Sequence, residues 1–346
     1  MINVAFLPVY PNPYQRLLRA GLAAAGVAVT FVDTLPTSKW LHEYRDTIDI
    51  LHYHWLYGLY MARFATPVQV VRFVARLRLA RQLGYRVVWT AHNILPHRAP
   101  WPPLHRAIRR LMMAEADAVI VHCEHGRREL LARFPRTKPV VVIPIGHYGG
   151  VYPLTMTRGE ARAALGLGAA EFVYLALGNI AAYKGLESFA EAFGRIGGEQ
   201  DVAIIAGRNR DAALVGRLHA AAQRDDRLRL HPEFVADDRM QCFLLAADVM
   251  VAPFEHVLTS SSVMVGLSYG LPVIAPDRGC LPELVTAEAG LIYRAEESDG
   301  LARALTDIKG HDLPAMSASA RQVAAGYDWD DIGRRTAAVY QGCLNP

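Results

Sequence analysis

The chain has 346 residues, a length that suggests two domains, and 52% of them are hydrophobic, enough for sizeable cores. A net charge of +4 and a pI near 8.9 give no ground for nucleic-acid binding. Met1-Ile2-Asn3 leads directly into a strand-like run, and no uncharged run approaches the roughly 18 residues of a spanning helix, so neither a leader nor a membrane span is expected. Cys123, Cys242, Cys280 and Cys343 stand at no metal-ligand spacing, which disfavours zinc and suits a reducing, cytoplasmic setting.

In chain order, residues 4–8 read as a short apolar strand, followed by a Pro-punctuated loop, 9–14, that carries Asn12. A helix over 15–25, closed by Gly26, and a strand over 27–32 complete a strand–helix–strand start. Residues 48–55 form the next strand and end in His52, His54 and Trp55. An Arg-rich amphipathic helix spans 68–83. The strand 86–90 runs into Ala91-His92-Asn93 and on to His97. The strand 118–121 runs into His122-Cys123-Glu124-His125, and the strand 140–144 into a loop with His147.

Short apolar strands alternating with helices predict parallel sheets covered on both faces. In such sheets the carboxyl ends of the strands form the ligand crevice, so these histidines converge on one edge. Any one of them serves more readily as a hydrogen-bonded structural residue. Metal ligation is disfavoured, since HExxH is absent and open loops gather the rings only loosely. His92, directly after a long apolar strand, is the best functional candidate.

Residues 148–157, with Gly149, Gly150 and Pro153, read as a linker. The second half is organised around the apolar strand 172–177, Gly178, a polar loop through Asn179 to Lys184-Gly185, and a helix with apolar spacing from Leu186. A strand, a glycine turn, a lysine and a helix N-terminus suit an anion, because unpaired N–H groups and the helix dipole favour negative charge there. The pattern is neither the P-loop GxxxxGK[ST] nor GxGxxG; its plain alternative is an ordinary turn with a solvated lysine. Strands follow over 202–207, 248–252, 272–275 and 290–293, with a strand and loop over 228–235, helices between them and two more at the end, the last broken near 326–329. Thr259-Ser260-Ser261-Ser262 precedes a helix and offers hydroxyls and N–H groups for a phosphate, or a plain N-cap. The economical fold is α/β: two Rossmann-like, doubly wound parallel-sheet domains with a cleft between them.

Several segments of the second half resemble the nucleotide-sugar domain of GT-B fold glycosyltransferases, in particular the group 1, family-four type. They are Gly178-Asn179-Ile180-Ala181-Ala182-Tyr183-Lys184-Gly185, Ile205-Ala206-Gly207, Gly270-Leu271-Pro272-Val273-Ile274-Ala275 and Gly279-Cys280-Leu281-Pro282-Glu283. Thr90-Ala91-His92-Asn93 resembles the acceptor domain more weakly. The resemblance implies an acceptor-binding domain over 1–152, a donor domain over 153–325, and a helix over 326–346 that returns to the first. It implies transfer of a sugar from a nucleoside-diphosphate sugar to an acceptor hydroxyl, sugar or lipid-linked, in exopolysaccharide, glycolipid or glycoconjugate assembly. The Ser-rich loop resembles a bacterial polysaccharide-assembly subset.

By the same resemblance His92 and Lys184 are the catalytic candidates. Gly178, Asn179, Lys184, Arg208, Phe234, Val235, Ser260, Ser261, Ser262 and Glu283 would bind the nucleotide. Asn12, His54, Trp55, His97 and Glu255 would meet the acceptor or the sugar. Without an Asp-x-Asp at a strand end, no metal or other cofactor is required. Two departures stand out: the family's loop arginine is Asn179, and its paired glutamates fall on Val257 and Val265. The second departure weakens the carry-over of retaining stereochemistry; an inverting route would need a base such as His92, His97 or Glu124. A sugar-nucleotide 2-epimerase of the same fold and an inactive sugar-nucleotide-binding subunit are the alternatives. Finally, Arg63, Arg72, Arg76, Arg78, Arg81, Arg106, Arg109 and Arg110 are expected to form a basic face that meets the inner membrane surface peripherally.

Overall fold

The computed structural model describes residues 1–61, 66–96, 100–196 and 198–345. The chain divides into two compact units: Met1–Gly146 together with the segment from Tyr327 on, and His147–Gly326. Each holds one six-stranded sheet in which all pairings are parallel.

The first sheet contains β1 (Ile2–Leu7), β2 (Val27–Phe31), β3 (Ile50–Tyr53), β4 (Arg86–Thr90), β5 (Ala118–Val121) and β6 (Val140–Val142), in the order β2-β1-β3-β4-β5-β6. The order reverses between β1 and β3, and ligands of open parallel sheets sit at such a switch point. Expected strand 48–55 is shorter than its apolar run: β3 ends at Tyr53, so His54 and Trp55 enter the loop, although His54 N still bonds to Leu7 O at 2.8 Å. Asn12 caps the helix Pro13–Ala24, its side chain accepting from Tyr14 N at 3.1 Å. The helix Trp329–Leu344 packs across that helix, and a Cβ on Gly333 would come within 2.2 Å of the Gly21 backbone, so this crossing requires glycine. The expected break in the last helix is real: Leu313–Ala325 ends, and the Asp328 carboxylate accepts from Asp330 N and Asp331 N to start Trp329–Leu344.

The second sheet contains β7 (Phe172–Leu177), β8 (Asp201–Ala206), β9 (Leu228–His231), β10 (Val249–Val251), β11 (Val273–Pro276) and β12 (Gly290–Tyr293), in the order β12-β11-β10-β7-β8-β9. Its switch point lies between β7 and β10. Tyr174, Phe189, Phe193, Ile205, Val249 and Ile274 share one core, in which the β7 and β8 strands pair residue for residue from Phe172 with Asp201 to Leu177 with Ala206.

The expected basic face is smaller than its sequence. Arg76 donates to the carbonyls of Leu35 and Pro36, Arg81 pairs with Asp117, and Arg109 is buried, donating to Ile94 O at 2.9 Å and lying over the Trp89 ring. These three guanidinium groups satisfy the fold rather than the surface. Arg72, Arg78, Arg106 and Arg110 are exposed; Arg63 lies outside the described residues.

Candidate functional site

In the second unit, β7 and β10 end side by side, and their loops make a recess. Gly178 stands at the end of β7 with φ +124°, a conformation that favours glycine. After the 3-10 turn Ala182–Lys184, Gly185 has φ +67°, and a Cβ there would lie 1.9 Å from the Pro253 carbonyl oxygen. The Lys184 loop therefore packs directly on the loop after β10. Gly178, Asn179, Lys184, Pro253, Phe254 and Ser262 line the recess.

Lys184 Nζ donates to Ser262 Oγ at 3.0 Å and sits 4.3 Å from the centroid of the Phe254 ring. Among the described residues no carboxylate pairs with it. Desolvation lowers its pKa to about 8, so the ammonium is charged at neutral pH but finds no counter-ion among the described residues.

The three serines divide their work. Ser260 is the N-cap of the helix Ser261–Ser268; its Oγ accepts from Val263 N at 3.3 Å and lies 3.0 Å from Ser262 Oγ. Ser261 faces the hydroxyl of buried Tyr148. Ser262 alone of the three lines the recess. Phe254, the aromatic floor under Lys184, is a site residue with no motif around it; its one signal in the sequence is an aromatic side chain three residues beyond β10.

The other expected donor residues lie around the same sheet edge but do not line the recess. Arg208 stacks on Phe234, its guanidinium carbon 4.4 Å from the ring centroid, and both side chains are exposed. Val235 follows, partly buried. Glu255 is exposed, and its backbone carbonyl accepts from Arg278. Glu283 is exposed on the short helix Leu281–Leu284. Val265 is buried within its helix and Val257 is partly buried, so neither presents a polar group where the resembling family carries glutamate.

In the first unit, the strand-end histidines are brought together. His122 Nδ1 lies 2.9 Å from Ile143 O, and its Nε2 3.1 Å from His92 Nδ1. His92 Nε2 lies 3.3 Å from His54 Nδ1. His52 bonds separately to Tyr340 Oη at 2.6 Å and Thr90 Oγ1 at 2.7 Å. Trp55 stacks on His92 with centroids 4.2 Å apart and 10° between planes, and Tyr14 meets the His92 ring edge-on at 5.0 Å. Burial drives these rings to the neutral form: His122 is lowered to about 4, His52 to about 3, and His92 and His54 well below the usual histidine range, with the neighbouring imidazoles adding to the effect on all but His122. Both nitrogens of His92 are thus engaged. Glu124 is exposed and pairs with Arg127 at 2.8 Å; His97 lies outside the described residues.

The family model described as glycosyl transferases group 1 matches residues 171–309, and the one described as glycosyltransferase family 4 matches residues 25–147. The D-inositol 3-phosphate glycosyltransferase of Mycolicibacterium vanbaalenii is 26% identical over 305 residues, covering 81% of this chain and 64% of that protein. The chain spans a little under two thirds of the length of such curated relatives. Sucrose-phosphate synthase from Thermosynechococcus elongatus superposes with a TM-score of 0.79 at 18% identity, with all of both chains covered. Anabaena HepE, solved in complex with UDP-glucose, gives 0.78 at 18% identity over 99% of this chain and 100% of that one. At such identity the two structures speak for the fold.

Proposed function

We propose that this chain, which belongs to the group 1 glycosyltransferases with the GT-B fold, moves a hexosyl unit from a nucleoside-diphosphate sugar to an acceptor hydroxyl without a metal ion. The observation that carries the donor site is Lys184, a desolvated cation with a hydroxyl partner, an aromatic floor and no carboxylate partner among the described residues, at the switch point of a parallel sheet. A diphosphate supplies the missing negative charge. In the reaction the bond from the sugar's anomeric carbon to the diphosphate oxygen breaks, a bond to the acceptor oxygen forms, and the acceptor hydroxyl gives its proton to the leaving diphosphate. Charge develops on the leaving diphosphate, where Lys184 and the N-terminus of Ser261–Ser268 stabilise it; one such contact is worth about 3 kcal/mol of barrier.

In this reading Arg208, Phe234 and Val235 flank the base, Glu283 takes the ribose hydroxyls and Glu255 reaches the sugar. His92, His54, Trp55 and Asn12, around the carboxyl ends of β1, β3 and β4, receive the acceptor. Helix Thr66–Gln82 adds a membrane contact suited to a lipid-linked acceptor: Val68, Val71, Arg72 and Arg78 are exposed and, by helical period, share one side.

A thermal-shift screen of UDP-, GDP-, ADP- and dTDP-sugars tests the donor site. One of them is expected to raise Tm, since ligand at a hundred times its Kd adds about 2.7 kcal/mol. No shift with any sugar nucleotide would overturn the reading. A shift without any release of nucleoside diphosphate would favour the inactive binding subunit that Asn179, Val257 and Val265 suggest.

A further inference from the structure

The contacts among His122, His92 and His54 have only one consistent direction when the rings are neutral. The Ile143 carbonyl can only accept, so the His122 proton sits on Nδ1. His122 Nε2 is then a lone pair, which requires the proton of His92 on Nδ1. His92 Nε2 is in turn a lone pair and accepts from His54 Nδ1–H. The last nitrogen, His54 Nε2, is left buried and without a partner among the described residues. The rings cannot easily turn away, because Trp55 covers one face of His92 and Tyr14 stands edge-on to all three.

We propose that His122 is a positioning residue that, through the Ile143 carbonyl, locks His92 as its Nδ1–H tautomer, so that His92 Nε2 is a pure acceptor. The group it takes is a hydroxyl of the bound acceptor, which displaces Nδ1–H of His54. This rests on the reading that the first unit receives the acceptor. Burial supports the lock by keeping all three rings uncharged. A neutral lone pair is also compatible with the oxocarbenium-like character of glycosyl transfer, whereas an imidazolium would repel it.

The test is 15N NMR of the histidine-labelled full chain at neutral pH, read with no substrate present, together with transfer kinetics. His92 is expected to be protonated at Nδ1. His122→Phe should move it to a mixture with the Nε2–H form, while His122→Gln, whose amide oxygen can accept in place of Nε2, should keep Nδ1–H. His54→Phe should also keep it, because the direction is set from the His122 side; this variant decides the matter if His122→Phe does not fold. An Nε2–H His92 in the wild type, or a tautomer that follows His54 rather than His122, would overturn the lock. With the donor and acceptor in hand, His122→Phe should lower kcat/KM for the acceptor by about threefold to tenfold, the scale of one hydrogen bond, with donor KM unchanged. A shifted tautomer with unchanged acceptor kinetics would overturn the positioning role. Failure of the sugar-nucleotide screen would remove the acceptor reading and leave the tautomer result standing.

Discussion

Lys184 Nζ and Ser262 Oγ, 78 positions apart in sequence, meet at 3.0 Å and join the loop after β7 to the first turn of the helix after β10. Ser261, one residue earlier, faces Tyr148 instead. Ser262→Ala is therefore expected to weaken nucleoside-diphosphate binding by about threefold to tenfold, as a lost hydrogen bond does, while Ser261→Ala leaves it unchanged. Calorimetric titration of both variants checks this, and equal losses would show that the whole serine run faces the ligand.

The lowered pKa of Lys184 gives donor binding a pH dependence. The ammonium of the ligand-free protein is lost as pH rises through about 8, so affinity should fall above that pH by up to about tenfold per unit. Lys184→Arg, with a guanidinium that stays charged, should bind with little change from pH 7 to 9. A wild-type affinity that is flat over this range would place the diphosphate away from Lys184.

The buried histidines should make stability depend on acid. In the unfolded chain they titrate near the ordinary value of about 6.5. In the fold His122 titrates at about 4, His52 at about 3, and His92 and His54 well below the ordinary value. Between those values the unfolded chain binds more protons, so the stabilisation is complete above about 6.5 and is lost as pH falls, with a slope of up to about 1.4 kcal/mol per pH unit for each ring. Urea unfolding at pH 7.5 and 5.5 measures it. His122→Gln should show the shallower dependence, and equal stability of the wild type at both values would mean that the rings are not buried neutral.

The exposed side of helix Thr66–Gln82 should bind anionic vesicles, with co-sedimentation falling as salt rises because surface charge is screened. The double variant Arg72→Glu, Arg78→Glu should abolish it, whereas Arg76→Glu should unsettle the fold instead, since Arg76 holds the carbonyls of Leu35 and Pro36. Equal recovery with neutral and anionic vesicles would dismiss the membrane contact.

Much of this was legible because the sheets are buried on both faces. Strands such as β5 and β7 read as unbroken apolar runs, and the residue that follows each one is placed at the ligand edge by topology alone. Gly178 and His92 are legible in that way, and Lys184 through the glycine turn and the helix start that frame it. What was not legible depends on phase and on neighbours. Ser260, Ser261 and Ser262 differ by one helical step each, and only packing decides which points at Lys184. The histidine contacts run across β3, β4 and β5, strands whose adjacency no local pattern states. Arg109 reads as a surface charge on its helix, yet the loop after β4 and the Trp89 ring enclose it.

The most direct measurement is release of nucleoside diphosphate from the matching sugar nucleotide, with and without acceptor, by the wild type and by Lys184→Ala. The ammonium beside Ser262 should be worth a charge-stabilising contact, so the variant is expected to turn over roughly a hundredfold more slowly or worse, with an unchanged circular dichroism spectrum. A Lys184→Ala protein as active as the wild type would contradict the central claim, because the leaving diphosphate would then have to sit elsewhere.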